Sequence, residues 1–202
     1  MAAEVQLAGQ TCLLEKPRGA KALYVFAHGA GAGMRHEFME SVSTALATHQ
    51  IATLRFDFPP ARNKPEPSEA MVRTIYGAAA KRYKLPLFAG GKSFGARMTS
   101  RAHAAQPLPD LRGLVFFGWP LHPPDKPGIE RAEHLPNAAG PMLFLTGDKD
   151  EFAQLDLLKP VIANLGPRAE LQLFAGSDHG FTRPKAVIDK LATAAATWIY
   201  SH

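Results

Sequence analysis

The sequence predicts an α/β fold, with one mostly parallel central sheet and helices on both faces, in a single domain spanning residues 1–202. Three observations predict it. From Ala22 onward, short apolar runs of strand length alternate with longer stretches of helical pattern, as in a parallel sheet covered on both sides. One run, Leu85-Pro86-Leu87-Phe88-Ala89, leads into Gly91-Lys92-Ser93-Phe94-Gly95 and then into the helix-like stretch Ala96 to Gln106. Two later runs end in Gly147-Asp148-Lys149-Asp150 and in Gly176-Ser177-Asp178-His179-Gly180. An acid and a histidine therefore come after strands, where open parallel sheets gather their active residues.

Taken in order, Val5-Gln6-Leu7 and Thr11 to Leu14, split by Ala8-Gly9-Gln10, read as a starting hairpin. Ala22 to Ala27 is a continuous apolar run, the mark of a strand buried on both faces. His28-Gly29-Ala30-Gly31-Ala32-Gly33 forms a loop before a helix from Glu37 to His49. Ile51 to Phe56 is the next strand, and Ala61 to Pro67 reads as a polar surface loop. Ser68 is expected to cap a helix carried by Ala70 to Tyr83. Leu114 to Phe117 is a core strand that runs into the proline-rich Gly118 to Pro124. Arg131 to Leu135 has room for a short helix at most. Pro141 to Thr146 is a strand, Asp156 to Leu165 a helix and Leu171 to Phe174 a strand. Pro184 is expected to open the closing helix, which runs through Trp198. The longest irregular stretch, Gly118 to Pro141, is too short for a substantial lid.

Composition narrows the partners. Of 202 residues, 46% are hydrophobic and 20% charged, an ordinary globular balance with enough length for a sizeable core. The formal charge is +5 and the pI about 9.4, but Lys and Arg are scattered, so no nucleic-acid partner is expected. The single cysteine, Cys12, allows no intrachain disulfide and is expected to be a packed residue in a reducing compartment. The N-terminus lacks the basic and apolar segments of a signal peptide, and no run approaches the length of a membrane span. These features lead us to expect a soluble, cytoplasmic protein with no membrane partner. Its oligomeric state is not legible.

The chemistry centres on Ser93. A serine hydroxyl is a poor nucleophile unless it stands exposed on a sharp turn within reach of a base. The flanking glycines let the backbone crowd there, and a helix starting at the serine aims its N–H groups at developing negative charge. A rival reading takes Gly91-Lys92-Ser93 as the end of a phosphate-binding loop. That motif needs a glycine where Pro86 stands, and a strand fills the place of the loop. The glycine-rich stretch after His28 also has two readings. As a dinucleotide fingerprint it fails at Met34 or at His36, depending on register. As an oxyanion loop it supplies a backbone N–H to a site that already has a nucleophile.

His179 is the expected base, because an imidazole titrates near neutral pH and can take and return the serine's proton. A carboxylate on its other nitrogen would fix the tautomer and stabilise the imidazolium. Asp148 and Asp150 are both candidates for that carboxylate, whereas Asp178 is expected to shape its loop. His28, His36, His122 and His134 do not fall at zinc-site spacings, so no metal is expected.

With these residues in view, the chain resembles the α/β-hydrolase superfamily, in its small lidless dienelactone-hydrolase-like branch. The resemblance spans nearly the whole chain. It is carried by His28-Gly29-Ala30-Gly31, Arg55 to Pro59, Gly90 to Gly95 with Arg97, Gly118 to Pro124, Gly147 to Phe152 and Asp178 to Phe181. Within the branch it is most similar to predicted hydrolases with a Gly-Gly-Lys-Ser elbow, a group that includes the hydrolase-like domain of a subunit of a eukaryotic histone acetyltransferase complex. The resemblance implies a serine hydrolase that cleaves an ester or related acyl bond of a small soluble substrate without a cofactor. In that reading Ser93, His179 and Asp150 are catalytic, since the superfamily commonly has Gly-x-x-Asp after the acid strand. Ala30 and Phe94 would form the oxyanion hole, with Met34, Trp119 and His122 beside the substrate. Dienelactone hydrolases proper use a cysteine nucleophile, so Ser93 speaks against dienelactone itself. The second reading is a scaffold or protein-interaction module that keeps the fold with little or no activity.

Overall fold

The computed structural model describes residues 2–60, 65–183 and 186–202. Eight strands form one sheet: β1 (Ala3–Leu7), β2 (Gln10–Glu15), β3 (Ala22–Ala27), β4 (Ile51–Phe56), β5 (Leu87–Lys92), β6 (Leu111–Phe117), β7 (Met142–Gly147) and β8 (Ala169–Phe174). Their order is β1-β2-β4-β3-β5-β6-β7-β8. The starting hairpin pairs antiparallel within itself and onto β4, and every pair from β4 to β8 is parallel.

Burial explains why these runs are strands. β3, β4, β5 and β7 are buried along their whole length, so both faces of each need apolar cover. Successive side chains of β3 alternate between two cores. Leu23 and Val25 meet Val72, Ile75 and Tyr76, with Met98 and Leu158 in the same core. Tyr24 and Phe26 join Met39, Val42, Leu46, Leu191 and Trp198 on the other side. The first core is covered by α2 (Pro65–Arg82), α3 (Phe94–Ala105) and α4 (Leu155–Asn164), the second by α1 (Glu37–Thr48) and α5 (Val187–Ser201). Cys12 is buried and free. Among the described residues, no helix is long and apolar enough to cross a membrane.

One helix starts earlier than its sequence suggested. α2 begins at Pro65, so Ser68 lies buried inside it and is not its cap. Pro65 and Pro67 fit because the first turn's N–H groups have no intrahelical acceptor to lose. Residues 61–64, part of the expected polar loop, and Pro184, the expected opening of α5, lie outside the described residues.

The segment from Gly118 to Pro141 is drawn into the body of the protein. Trp119, Leu121, Leu135 and Ala138 are buried in the first core, and two 3-10 turns, Glu130–Ala132 and Leu135–Asn137, close it. Among the described residues no large lid is formed.

The parallel register brings strand exits into line. Ala27 stands beside Gly91, Lys92 beside Phe117, and Gly147 beside Phe174. The loops that leave these strands are therefore delivered to one edge of the sheet.

Candidate active site

The turn after β5 is forced by contact. A side chain at Gly91 would place its Cβ 2.5 Å from the carbonyl oxygen of Ala27, and one at Gly95 would place it 2.4 Å from the same oxygen. The start of α3 thus lies directly against the end of β3. Between these glycines Ser93 takes φ 50° and ψ −113°, a region costly for a residue with a side chain. The surroundings hold it there. Its N–H donates to the Phe117 oxygen at 3.1 Å, and its carbonyl accepts the Arg97 N–H at 3.1 Å.

Ser93 Oγ lies 2.7 Å from Nε2 of His179. Nδ1 of the same imidazole lies 2.9 Å from each carboxylate oxygen of Asp150. The Asp150 side chain has no exposure and that of His179 has 12%. Asp150 Oδ1 also accepts the Phe152 N–H at 2.8 Å, and the Phe152 ring packs on the imidazole with centroids 4.3 Å apart. A carboxylate fixed from both sides holds the ring with Nε2 toward the serine.

The neighbouring acids do other work. Asp148 Oδ1 accepts the Gly176 N–H at 2.7 Å, tying the β7 exit to the loop that carries His179. Asp178 accepts from the Thr182 N–H at 3.0 Å and the Thr182 hydroxyl at 2.6 Å, which closes that loop.

The loop after β3 is held by side chains on both sides. His28 Nδ1 lies 2.7 Å from the Gly29 oxygen and 3.2 Å from the Gly33 nitrogen, and its Nε2 lies 3.1 Å from the Phe58 nitrogen. Asp57 accepts the Met34 N–H at 2.6 Å, while Arg55 donates to the Met34 oxygen at 2.9 Å. Between this loop, the β4 exit and the first turns of α2 and α3 runs a cleft of about 910 Å³. Its walls include Ala30, Gly31, Phe58, Pro60, Phe94 and Arg97.

Ala30 and Phe94, expected to form the oxyanion hole, stand on the cleft wall, whereas Met34, expected beside the substrate, is buried. Trp119 and His122 are placed elsewhere, so the cleft is not bordered by Trp119 to His122 as its sequence position suggested. Trp119 is fully buried, donates to Ser100 Oγ at 3.3 Å and meets the Phe144 ring edge-on. His122 is buried with Nδ1 donating to the Pro123 oxygen at 2.8 Å and Nε2 accepting the Gln154 N–H at 3.2 Å. The large apolar area of an indole favours core over cleft. The second wall is supplied instead by Phe58 to Pro60, Pro65 and Ser68.

Lys92 is the residue that sequence reasoning missed. It ends a strand buried throughout, and its Nζ donates to the His179 carbonyl oxygen at 2.6 Å. The ammonium lies 5.6 Å from the Phe38 ring centre and 5.5 Å from that of Phe181. Burial pushes it down to about 8, partly offset by Asp150, Asp178 and Glu151. The available signal was a lysine inside an apolar strand, where an unpaired charge is not tolerated.

Residues 20–198 match the family described as Alpha/beta hydrolase domain. Two Mycobacterium tuberculosis proteins, of strains CDC 1551 and H37Rv, are each 28% identical over 215 residues and carry a provisional phosphoribosyl transferase name. The match takes in 100% of this chain and 45% of each of theirs, so the chain spans about half the length of these curated relatives. A dienelactone hydrolase from Anabaena variabilis superposes with a TM-score of 0.80 at 19% identity, covering 100% of this chain and 97% of that one. A Xanthomonas campestris α/β serine hydrolase described as lacking a lid gives 0.75 at 19% identity, covering 98% and 94%. At such identities the likeness is one of fold.

Proposed function

We propose, from the premise that this chain belongs to the Alpha/beta hydrolase domain family, that it is a serine hydrolase acting on an ester or related acyl bond of a small soluble substrate. The observation that carries the reading is the hydrogen-bonded line from Ser93 Oγ through His179 to the buried Asp150. Ser93 Oγ attacks the carbonyl carbon as His179 Nε2 takes its proton. The carbonyl π bond becomes an oxyanion, which the backbone N–H groups of Ala30 and Phe94 receive. Collapse expels the alcohol, which leaves with the proton held by His179, and an acyl-serine remains. Water then attacks the acyl carbon and gives its proton to His179. The acid departs as that proton returns to Ser93 Oγ. Asp150 keeps the imidazole in the tautomer with Nε2 unprotonated and offsets the charge of the imidazolium.

The transferase name belongs to proteins of which this chain matches less than half, and the triad supports acyl transfer to water instead. The test is labelling with a fluorophosphonate probe, followed by turnover of short 4-nitrophenyl esters. The wild type should be labelled, and Ser93→Ala should lose both the label and about a ten-thousandfold of turnover. Equal turnover in a clean preparation of Ser93→Ala would overturn the reading.

A further inference from the structure

Among the described residues that line the cleft, the guanidinium of Arg97 has no hydrogen bond or ion pair. Arg97 stands one helical turn beyond Ser93, on the α3 face it shares with Phe94, and both line the cleft. Among the described residues no hydrogen bond or ion pair engages its guanidinium. None of the undescribed residues is an Asp or Glu, so no further side-chain carboxylate is to be had. The acid nearest in charge, Glu69, is taken by Arg101, whose Nε lies 2.5 Å from its Oε1. The carboxylate on the cleft wall, Asp57, already accepts the Met34 N–H on the β4 side.

The surroundings reinforce this positive charge. Arg97 is pushed down to about 10, first by burial and then by Arg131 and Arg101, against Glu69 alone. Nearby His134 is pushed down to about 4, by burial and by the charges of Arg101 and Arg97. Among the described residues, the guanidinium groups of Arg131 and Arg101 thus act on Arg97 and the carboxylate of Glu69 opposes them. A half-buried guanidinium without a partner is poorly solvated, and its planar fork matches a carboxylate or phosphate in two parallel hydrogen bonds.

We propose that the cleft takes an ester whose acyl or alcohol part carries a carboxylate or phosphate group, held by Arg97 while Ser93 attacks the ester carbon. The proposal rests on the serine-hydrolase reading for its chemistry but not for its binding. The anion sits at the end formed by α2 and α3, because Asp57 repels it at the other. Neutral esters enter the same cleft without this anchor.

Binding is measured first, on Ser93→Ala, by calorimetry at about 50 mM ionic strength, with glutarate for the carboxylate and glycerol 3-phosphate for the phosphate. At least one should bind, with glycerol as the neutral control. Adding Arg97→Gln should weaken that binding about tenfold or more, and Arg97→Lys should restore part of it. Turnover by the wild type is measured next, comparing mono-4-nitrophenyl glutarate with 4-nitrophenyl butyrate, and acetylated glycerol 3-phosphate with acetylated glycerol. In the arm that binds, kcat/KM should favour the charged ester by about tenfold and the preference should shrink in Arg97→Gln. Absence of binding by both anions, or binding indifferent to Arg97→Gln, overturns the proposal even if esters are cleaved. Arg97-dependent binding without cleavage of any ester leaves the anion site standing and overturns the hydrolase reading instead.

Discussion

Lys92 Nζ donates to the backbone oxygen of His179 at 2.6 Å. The residue just before the proposed nucleophile therefore grips the main chain of the histidine bonded to that nucleophile. β5 and the loop after β8 are separated in the sheet by two strands, and this one side chain ties their ends together. Lys92→Met should keep the fold's apolar contacts and release the loop. We expect turnover to fall about tenfold to a hundredfold, as a displaced catalytic group does, with a smaller change in KM.

The same lysine gives a pH signature in stability. Below about 8 its ammonium is charged in the folded and unfolded chain, and the cost of burying that charge is fully present. Between about 8 and its ordinary 10.5 the folded chain holds the amine neutral while the unfolded chain still binds the proton. Its contribution to stability therefore rises with pH across that window. Thermal unfolding of wild type and Lys92→Met from pH 7 to 10 should show the wild type gaining on the variant. A constant difference would mean that Lys92 titrates alike in both states.

Ser93 holds a backbone conformation better suited to glycine, with φ 50°. Such a residue stores about 1–3 kcal/mol, against which glycine's greater unfolded freedom costs about 0.4–1 kcal/mol. Ser93→Gly should therefore be more stable than Ser93→Ala by about 1 kcal/mol, read from urea unfolding, while both lack the hydroxyl.

The two aspartates after β7 should separate cleanly. Asp150→Asn should lower turnover by up to about ten-thousandfold, because the amide favours the wrong imidazole tautomer. Asp148→Asn keeps an acceptor for the Gly176 N–H and should cost less than about threefold. Steady-state kinetics on one short ester decides the ranking, and the reverse order would move the acid to Asp148.

Acyl-chain length tests whether the segment from Gly118 to Pro141 acts as a cover. The segment from Gly118 to Pro141 is anchored by buried Trp119, Leu121 and Leu135, so this segment is expected to supply no closing step that expels water from the cleft. Turnover should fall from 4-nitrophenyl butyrate to the palmitate, with no jump at an oil–water interface. A strong preference for palmitate would mean that this segment opens.

Much of this arrangement was legible because strands and exits are local. The runs Ala22 to Ala27 and Met142 to Gly147 are apolar almost from end to end, and Ser93, Asp150 and His179 each come soon after a strand. Their meeting needed only that parallel strands share one carboxyl edge. Other features depended on packing between distant segments. Trp119 comes after a strand as Ser93 does, yet its indole is buried beneath α3 with its N–H on Ser100. The two prolines before Ser68 read as a loop, but a helix tolerates both in its first turn. Lys92 looked like part of a motif, and only the position of the loop after β8 gave its ammonium a partner.

The parts of this site come from widely spaced stretches of chain. Ser93 and His179 are 86 residues apart, and Asp150 and His179 are 29 apart. During synthesis the serine turn is made long before its proposed base exists, and the histidine loop waits for β8 to join the sheet. If His179 is that base, a chain released anywhere before it carries a serine no more reactive than any free alcohol. On the proposed reading, chemical competence thus waits for the loop after β8, and a nascent polypeptide that stops short of it cannot attack its surroundings.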